Sequence, residues 1–254
     1  MNALLKLNRI SVNFAGLRAL AEVTFEAYAG EVRAVIGPNG AGKTTLFNAI
    51  SGYVPTTDGT IMFKEEPIQG LAPHLISAKG VRRTFQNGGL FPELTALENV
   101  LAGLHVQIES TFLGTLFGLK QAREAEREGI ARALKLLDLM DLAFIADQPV
   151  KDLSGGQQRM VEIVRTLATE PPLLLLDEPV VGLSPPMRDR MMDIIRRLAG
   201  EEGIAIMLIE HAIELVMAGS DVIVVLSSGE LIAEGKPEEI RQNREVLEAY
   251  LGHA

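Results

Sequence analysis

The chain has no cysteine and no tryptophan among its 254 residues. Without cysteine it can form neither a disulfide framework nor a thiolate metal site, which is consistent with a reducing compartment. It also has no long hydrophobic run, because runs such as 173–176 and 222–226 are far shorter than the roughly 20 residues that a membrane-spanning helix needs. The first six residues show no basic stretch followed by an apolar one, so no signal peptide is expected. We therefore expect a cytoplasmic protein whose membrane association, if any, is peripheral.

Positive charge is scarce as well. Lysine and arginine together number 24 against 33 acidic residues, which gives a net charge of −9. Proteins that bind a nucleic-acid backbone normally present a basic face, so we expect no nucleic-acid partner. The hydrophobic fraction of 47% is ample for a chain of this length to build its own core.

Short apolar runs alternate with helical patterns in two parts of the chain. A β-branched run at 32–36 leads into a glycine-rich turn, and a helical pattern follows at 43–50. Later runs at 173–177, 204–209 and 222–226 are separated by helical stretches. Continuous apolar strands of this kind indicate a mainly parallel sheet that is covered on both faces.

The stretch from 95 to 140 is mostly helical and interrupts this alternation. Thr95 and Glu98 have the spacing of a capping box at its start. Further along, three apolar side chains fall on one helical stripe: Ile130, Leu134 and Leu137. We expect one α/β domain over 1–254, with an N-terminal antiparallel β subdomain, a core formed by 1–92 and 152–254, and an inserted α-helical subdomain at 93–151.

A glycine-rich stretch lies between the predicted strand and the predicted helix. Its residues match the pattern G-x-x-x-x-G-K-[ST] and are Gly37, Pro38, Asn39, Gly40, Ala41, Gly42, Lys43, Thr44 and Thr45. Glycines let backbone N–H groups surround phosphates, and the helix N-terminus adds positive potential. We expect this phosphate loop to bind ATP, with Lys43 on the β- and γ-phosphates and the Thr44 hydroxyl on Mg²⁺. An ordinary glycine-rich turn is the alternative, and the strand-to-helix context argues against it.

Two carboxylates, Asp177 and Glu178, follow the apolar run at 173–176. The end of a parallel strand would place them at the carboxyl edge of the sheet, beside the phosphate loop. There Asp177 would hold Mg²⁺, directly or through water, and Glu178 would orient or deprotonate the attacking water. A solvated strand end before a turn at Pro179 is the alternative.

A third motif, LSGGQ, consists of Leu153, Ser154, Gly155, Gly156 and Gln157. Ser154 and Gln157 also suit a capping box, but two glycines in a first helical turn cost roughly 0.5–1 kcal/mol each, which indicates close approach by a ligand. The motif resembles the signature of ATP-binding cassette (ABC) ATPases, a branch of the P-loop NTPases. The resemblance implies that this signature contacts the γ-phosphate of an ATP held by a partner subunit.

The same resemblance covers essentially the whole chain and assigns further roles. Gln86, within RTFQ, matches the glutamine that senses Mg²⁺ and the γ-phosphate, and is thus both catalytic and a metal ligand. His211 matches the switch histidine, which contacts the γ-phosphate and steadies Glu178, with a structural histidine as the alternative. Phe14 takes the place of the ring that stacks on adenine, and a core phenylalanine is the alternative. The expected catalytic residues are therefore Lys43, Gln86, Glu178 and His211, whereas Phe14 would bind ATP.

One position departs from the family pattern. Where many members have Gly-Leu-Asp, this chain has Gly182, Leu183 and Ser184. The aspartate helps to couple the two ATP sites of a dimer, so Ser184 leaves the tightness of that coupling open, while activity is still expected.

Several segments resemble the ATPase subunits of branched-chain amino-acid importers: 83–87, 90–92, 98–100, an insertion at 105–121 and the end at 247–252. This implies an ATPase, a homodimer or a heterodimer with a related subunit, bound to an integral-membrane permease on the cytoplasmic face and served by a solute-binding protein. Leu90 and Phe91 would meet the permease or pack under the helical subdomain. The alternatives are an exporter ATPase, such as the lipopolysaccharide type, and a non-transport ABC ATPase, whose usual paired cassettes or coiled-coil insertion this chain lacks.

Overall fold

The computed structural model describes residues 2–84, 89–104 and 120–251. By its internal contacts the chain divides into two compact units. The first unit comprises 1–83, 172–181 and 185–254, and the second comprises 84–171 and 182–184. The helical range expected from the sequence, 93–151, lies within the second unit.

A four-stranded antiparallel sheet occupies the start of the first unit. Its strands are β1 (Leu5–Phe14), β2 (Leu17–Ala27), β4 (Asp58–Phe63) and β5 (Glu66–Pro67), in the order β2-β1-β4-β5. Leu5 and Leu7 are buried with exposed Lys6 between them, and after a register shift the strand buries Ile10, Ser11 and Val12 in a row. The alternation at the start of β1 is the pattern of a strand with one face on the core, and the antiparallel pairing of the four strands confirms the antiparallel β subdomain.

A six-stranded sheet forms the centre of the same unit. Its strands are β3 (Val32–Ile36), β6 (Val81–Arg83), β7 (Leu173–Asp177), β8 (Ala205–Ile209), β9 (Val222–Ser227) and β10 (Glu230–Gly235). The order is β10-β9-β3-β8-β7-β6, and every neighbouring pair is parallel except β9 with β10. Every residue of β3, β7 and β8 is buried, as expected for a sheet covered on both faces. The mainly parallel sheet predicted from the sequence is confirmed.

The described residues form, in chain order, the helices α1 (Lys43–Ile50), α2 (Pro73–Ala78), α3 (Ala96–Leu104), α4 (Lys120–Leu139), α5 (Gly155–Leu167), α6 (Pro185–Glu202), α7 (Ile213–Gly219), α8 (Pro237–Gln242) and α9 (Arg244–Leu251). Short 3₁₀ turns lie at Ala143–Ile145 and Val150–Asp152. Within the described ranges, no helix combines the length and apolar character needed to cross a membrane.

In the second unit, α3 packs against α4 and α5. The capping box predicted at its start is confirmed, because Thr95 Oγ1 accepts the N–H of Glu98 at 3.1 Å and Glu98 Oε2 accepts the N–H of Thr95 at 2.8 Å. The predicted stripe on α4 is wrong at Leu134, which is 38% exposed. The buried face includes Ala133 and Leu137 of α4 and Met140 just after it. The face that meets the neighbouring helices is therefore offset from the predicted one.

Candidate nucleotide-binding site

The phosphate loop connects β3 to α1, as the sequence predicts. Its glycines Gly37, Gly40 and Gly42 have positive φ angles of 151°, 78° and 101°. A Cβ on Gly37 would lie 2.0 Å from the carbonyl oxygen of Leu226, and one on Gly42 would lie 2.7 Å from that of Ala19. Glycine is therefore required at both positions, because the backbone conformation and the neighbouring strands leave no room for a side chain.

Lys43, the first residue of α1, is folded back over the loop. Its Nζ donates hydrogen bonds to the carbonyl oxygens of Gly37 at 2.8 Å and Pro38 at 2.9 Å. Burial lowers the pKa of Lys43, while the carboxylates of Glu178 and Asp177 act in the opposite direction. An ammonium group has three donors, so Lys43 can brace the loop and still reach a bound phosphate.

Asp177, the last residue of β7, forms a buried ion pair with Arg83 at the end of β6. Arg83 Nη2 lies 2.7 Å from Asp177 Oδ2. A second guanidinium nitrogen, Nη1, donates to Asn48 Oδ1 in α1 at 2.7 Å and to Ser51 Oγ just after it at 3.2 Å. One cation thus joins the Asp177 strand to the helix of the phosphate loop. The sequence assigns Arg83 no role, because the short strand that it ends carries no recognisable strand pattern.

Glu178 and His211 meet at the same edge of the sheet. His211 Nε2 lies 3.0 Å from Glu178 Oε1, and the two side chains are 46% and 21% exposed. Glu178 has φ of 51°, a left-handed conformation that is unusual for a residue other than glycine. Eight other non-glycine residues of the described chain share a positive φ, so the contact with His211, and not the backbone angle, distinguishes Glu178. The structure therefore pairs the two residues that the sequence predicted to act together.

The donors near the loop fit Mg²⁺. The Asp177 carboxylate and the Thr44 hydroxyl are hard oxygen ligands, and the Thr44 side chain is exposed on the first turn of α1. No group of three or more His, Cys, Asp or Glu side chains that could hold a metal occurs in the described ranges. Mg²⁺ in nucleotide sites needs no such cage, because substrate phosphates and water supply most of its ligands. Gln86, the third predicted ligand, lies outside the described residues.

One aromatic residue was predicted to bind adenine, and another contacts the phosphate loop. Phe14 ends β1 at a tight hairpin turn, and its ring is 45% exposed, so it is not a core phenylalanine. Tyr250 in α9 was missed from the sequence. Burial raises the pKa of the Tyr250 hydroxyl, and a hydrogen bond with the backbone of Gly37 acts in the opposite direction. Helix α9 thus contacts the first glycine of the phosphate loop.

The signature, 153–157, lies at the start of α5 in the second unit. Ser154 Oγ accepts the N–H of Gln157 at 3.3 Å, and Gln157 Oε1 accepts the N–H of Ser154 at 2.9 Å, which confirms the capping box. Ser154 and Gly155 are exposed. A Cβ on Gly155 would meet no atom within 4 Å. Packing among the described residues therefore does not explain why this position is a glycine. This favours the close approach of a ligand or of another molecule.

Family models match two parts of the chain. The model described as ABC transporter matches residues 20–181. A second model, described as branched-chain amino acid ATP-binding cassette transporter, matches residues 230–254.

Curated relatives match over nearly the full length. The high-affinity branched-chain amino acid transport ATP-binding protein BraF of Pseudomonas aeruginosa is 43% identical over 251 residues, covering 99% of this chain and 98% of BraF. The corresponding protein LivG of Escherichia coli is 40% identical over 251 residues, with the same coverage of 99% and 98%.

Solved structures of ATP-binding cassettes share the fold. A nucleotide-free cassette from an ABC transporter superimposes with a TM-score of 0.83 at 33% identity, covering 98% of this chain and 99% of its own. The ADP conformation of the cassette MJ1267 gives 0.84 at 30% identity, with coverage of 99% and 100%. A dimeric post-hydrolysis state of the cassette MJ0796, bound to ADP and Pi, gives 0.77 at 28% identity, with coverage of 92% and 98%.

Proposed function

This chain belongs to the ATP-binding proteins of the branched-chain amino acid ABC transporters, and we propose that it powers the import of branched-chain or related amino acids. Membership in this family makes it an ATPase that drives transport. Similarity to BraF and LivG over nearly the full chain, together with the match of residues 230–254 to the branched-chain family model, carries the substrate proposal. The Glu178–His211 contact of 3.0 Å at the sheet edge, in a unit that also holds Lys43 within the phosphate loop, supports the ATPase activity.

The proposed roles follow from the chemistry of each group. The phosphate loop and Lys43 bind the phosphates of ATP, and Phe14 stacks on the adenine. Thr44, Asp177 and Gln86 hold Mg²⁺, which when bound neutralises charge on the phosphates. Because a carboxylate can accept a proton or a hydrogen bond from water, Glu178 orients or deprotonates the water that attacks the γ-phosphate. His211 holds Glu178 in position and contacts the γ-phosphate.

The assembly that we propose contains two ATP-binding chains, either two copies of this chain or one copy and a related subunit. The signature of each chain completes the phosphate site of the other, so the exposed Ser154 and Gly155 would contact ATP in trans. The related cassette MJ0796 forms a dimer in its post-hydrolysis state with ADP and Pi, and this supports the proposed arrangement. Membrane permease subunits and a solute-binding protein complete the transporter, with this chain on the cytoplasmic face of the membrane.

Uptake into reconstituted vesicles tests the proposed substrate separately from the ATPase activity. The chain, its co-purified membrane subunits and the solute-binding protein would be reconstituted with Mg²⁺-ATP on the side of the ATPase. We expect uptake of labelled leucine, isoleucine or valine, and none when Glu178→Gln replaces the wild-type chain. ATP hydrolysis without amino-acid uptake would disprove the proposed substrate and leave the ATPase assignment standing.

A further inference from the structure

Glu210 directly precedes His211 in the chain, and its side chain reaches the segment that follows Glu178. It directly follows β8 and is only 2% exposed. Its Oε1 accepts the backbone N–H of Val180 at 3.0 Å, and its Oε2 accepts that of His211 at 3.1 Å. One buried carboxylate therefore joins the backbone after Glu178 to the backbone of the histidine.

These contacts close a ring through the catalytic pair. Two residues after Glu178, the backbone N–H of Val180 donates to the carboxylate of Glu210. The same carboxylate accepts the backbone N–H of His211, and His211 Nε2 lies 3.0 Å from Glu178 Oε1. The backbone N–H of Glu178 also donates to the carbonyl oxygen of Ile209 at 3.0 Å. The left-handed backbone of Glu178 is thus held from both of its sides.

A carboxylate suits this place better than an amide. The pKa of Glu210 is raised, chiefly by burial and also by the nearby Glu178, although hydrogen bonds from the backbone N–H groups of Val180, His211 and Ala212 lower it. The geometry nevertheless requires an acceptor at both oxygens, because Oε1 accepts an N–H from one segment and Oε2 accepts an N–H from the other. Glutamine has one accepting oxygen and would place its NH₂ group against a backbone donor.

We propose that Glu210 is a positioning residue for ATP hydrolysis, whose carboxylate fixes Glu178 and His211 at their working distance. It contacts neither the substrate nor the attacking water and acts through the other two side chains. The inference rests on the roles proposed above for Glu178 and His211 and adds to them the element that holds the pair together.

The test compares Glu210→Gln with the wild-type chain in the assembled ATPase. One lost buried hydrogen bond corresponds to roughly a tenfold change, so kcat should fall about tenfold. The KM for ATP should stay within about twofold, because the phosphate loop is unchanged. A wild-type kcat would overturn the proposal. If the wild-type chain itself hydrolyses no ATP, the proposed function fails instead.

Asp221→Asn is the control for the loss of a carboxylate that accepts a backbone N–H group, although Asp221 is exposed and Glu210 is buried. Asp221 Oδ2 accepts the backbone N–H of Val32 at 2.8 Å, at the end of β3 remote from the phosphate loop. It is another carboxylate that binds backbone, so its loss should lower thermal stability and leave kcat unchanged. Equal falls of kcat in both variants would show that Glu210 has only a structural role.

A double mutant tests whether Glu210 acts through His211. In a His211→Ala background, measured by single turnover, Glu210→Gln should reduce the rate by less than about twofold, because the pair is already broken. A further tenfold loss would overturn the proposal. If Glu210→Gln does not fold, Glu210→Asp replaces it. Its shorter side chain keeps the charge but cannot reach both segments, so the same fall of kcat is expected, and a wild-type kcat again overturns the inference.

Discussion

The guanidinium of Arg83 holds the carboxylate of Asp177 at 2.7 Å, with the two side chains only 6% and 7% exposed. Arg83 also bonds to Asn48 in the phosphate-loop helix. The expected Mg²⁺ ligand is therefore fixed by a cation that also ties it to the element binding the phosphates. Removing one member of such a buried pair leaves the other charge buried without its partner. A substitution at Arg83 therefore tests how much the pair contributes to stability.

Arg83→Met should lower the free energy of unfolding by about 3–5 kcal/mol, since Asp177 then loses its buried partner. Urea unfolding measures this loss. Arg197→Met is the control, because Arg197 pairs with Glu201 on an exposed helix face and its loss should cost less than about 1 kcal/mol. Equal costs for the two variants would show that the Arg83–Asp177 pair contributes no more than a surface pair.

Glu178→Gln should bind ATP and hydrolyse little of it. The amide keeps the size of the side chain but cannot accept a proton from water, so a dimer closed on ATP should persist. Size-exclusion chromatography with Mg²⁺-ATP measures the dimer, with the wild-type chain as its control. Monomer alone over a range of salt concentrations would contradict the proposed closure.

Gly37→Ala should destabilise the chain more than Gly40→Ala. Alanine at 37 would place Cβ 2.0 Å from the carbonyl oxygen of Leu226, whereas alanine at 40 would meet nothing within 4 Å. The second change therefore costs only the left-handed backbone, about 1–2 kcal/mol. Urea unfolding of both variants decides the matter, and equal stabilities would mean that the loop moves away from β9 without cost.

Ser154→Ala and Thr95→Ala remove the same kind of cap from two helices of one unit. Each should cost about 0.5–2 kcal/mol of stability. Only Ser154→Ala should also reduce ATP hydrolysis by the assembled protein, because Ser154 belongs to the signature that we propose to contact ATP. Parallel thermal melts and ATPase assays separate the two effects. Equal hydrolysis by the two variants would leave Ser154 with a capping role alone.

The sequence predicted those parts of the fold whose signals are local. The strand at Val32–Ile36, the helix at Lys43–Ile50 and the strand at Leu173–Asp177 have the predicted bounds, because β-branched or apolar runs end at glycine or charged residues. Strand β6 gives no such signal, since two of its three residues are arginines. Its place depends on pairing with β7, which lies far along the chain.

Individual residues of the site could be predicted from the sequence, but the hydrogen bonds that join them could not. Lys43, Asp177, Glu178 and His211 follow motifs, and the structure brings Glu178 and His211 together. Glu210 escaped notice because its partner Val180 is 30 residues away and only the parallel pairing of β7 with β8 joins them. The roles of all the site residues remain predictions, those of Lys43, Asp177, Glu178 and His211 as well as those of Gln86, Phe14 and the signature.

The central claim is that the phosphate loop of one chain and the signature of a second enclose each ATP. Because the natural chain has no cysteine, single cysteines can be introduced without background. One copy would carry Asn39→Cys and another Ser154→Cys, both with Glu178→Gln, and a short thiol-reactive linker would be added with or without Mg²⁺-ATP. We predict a cross-linked pair of the two copies that forms only with ATP. If both copies bind ATP and neither cross-links to the other or to a co-purified ATPase subunit, the claim is contradicted.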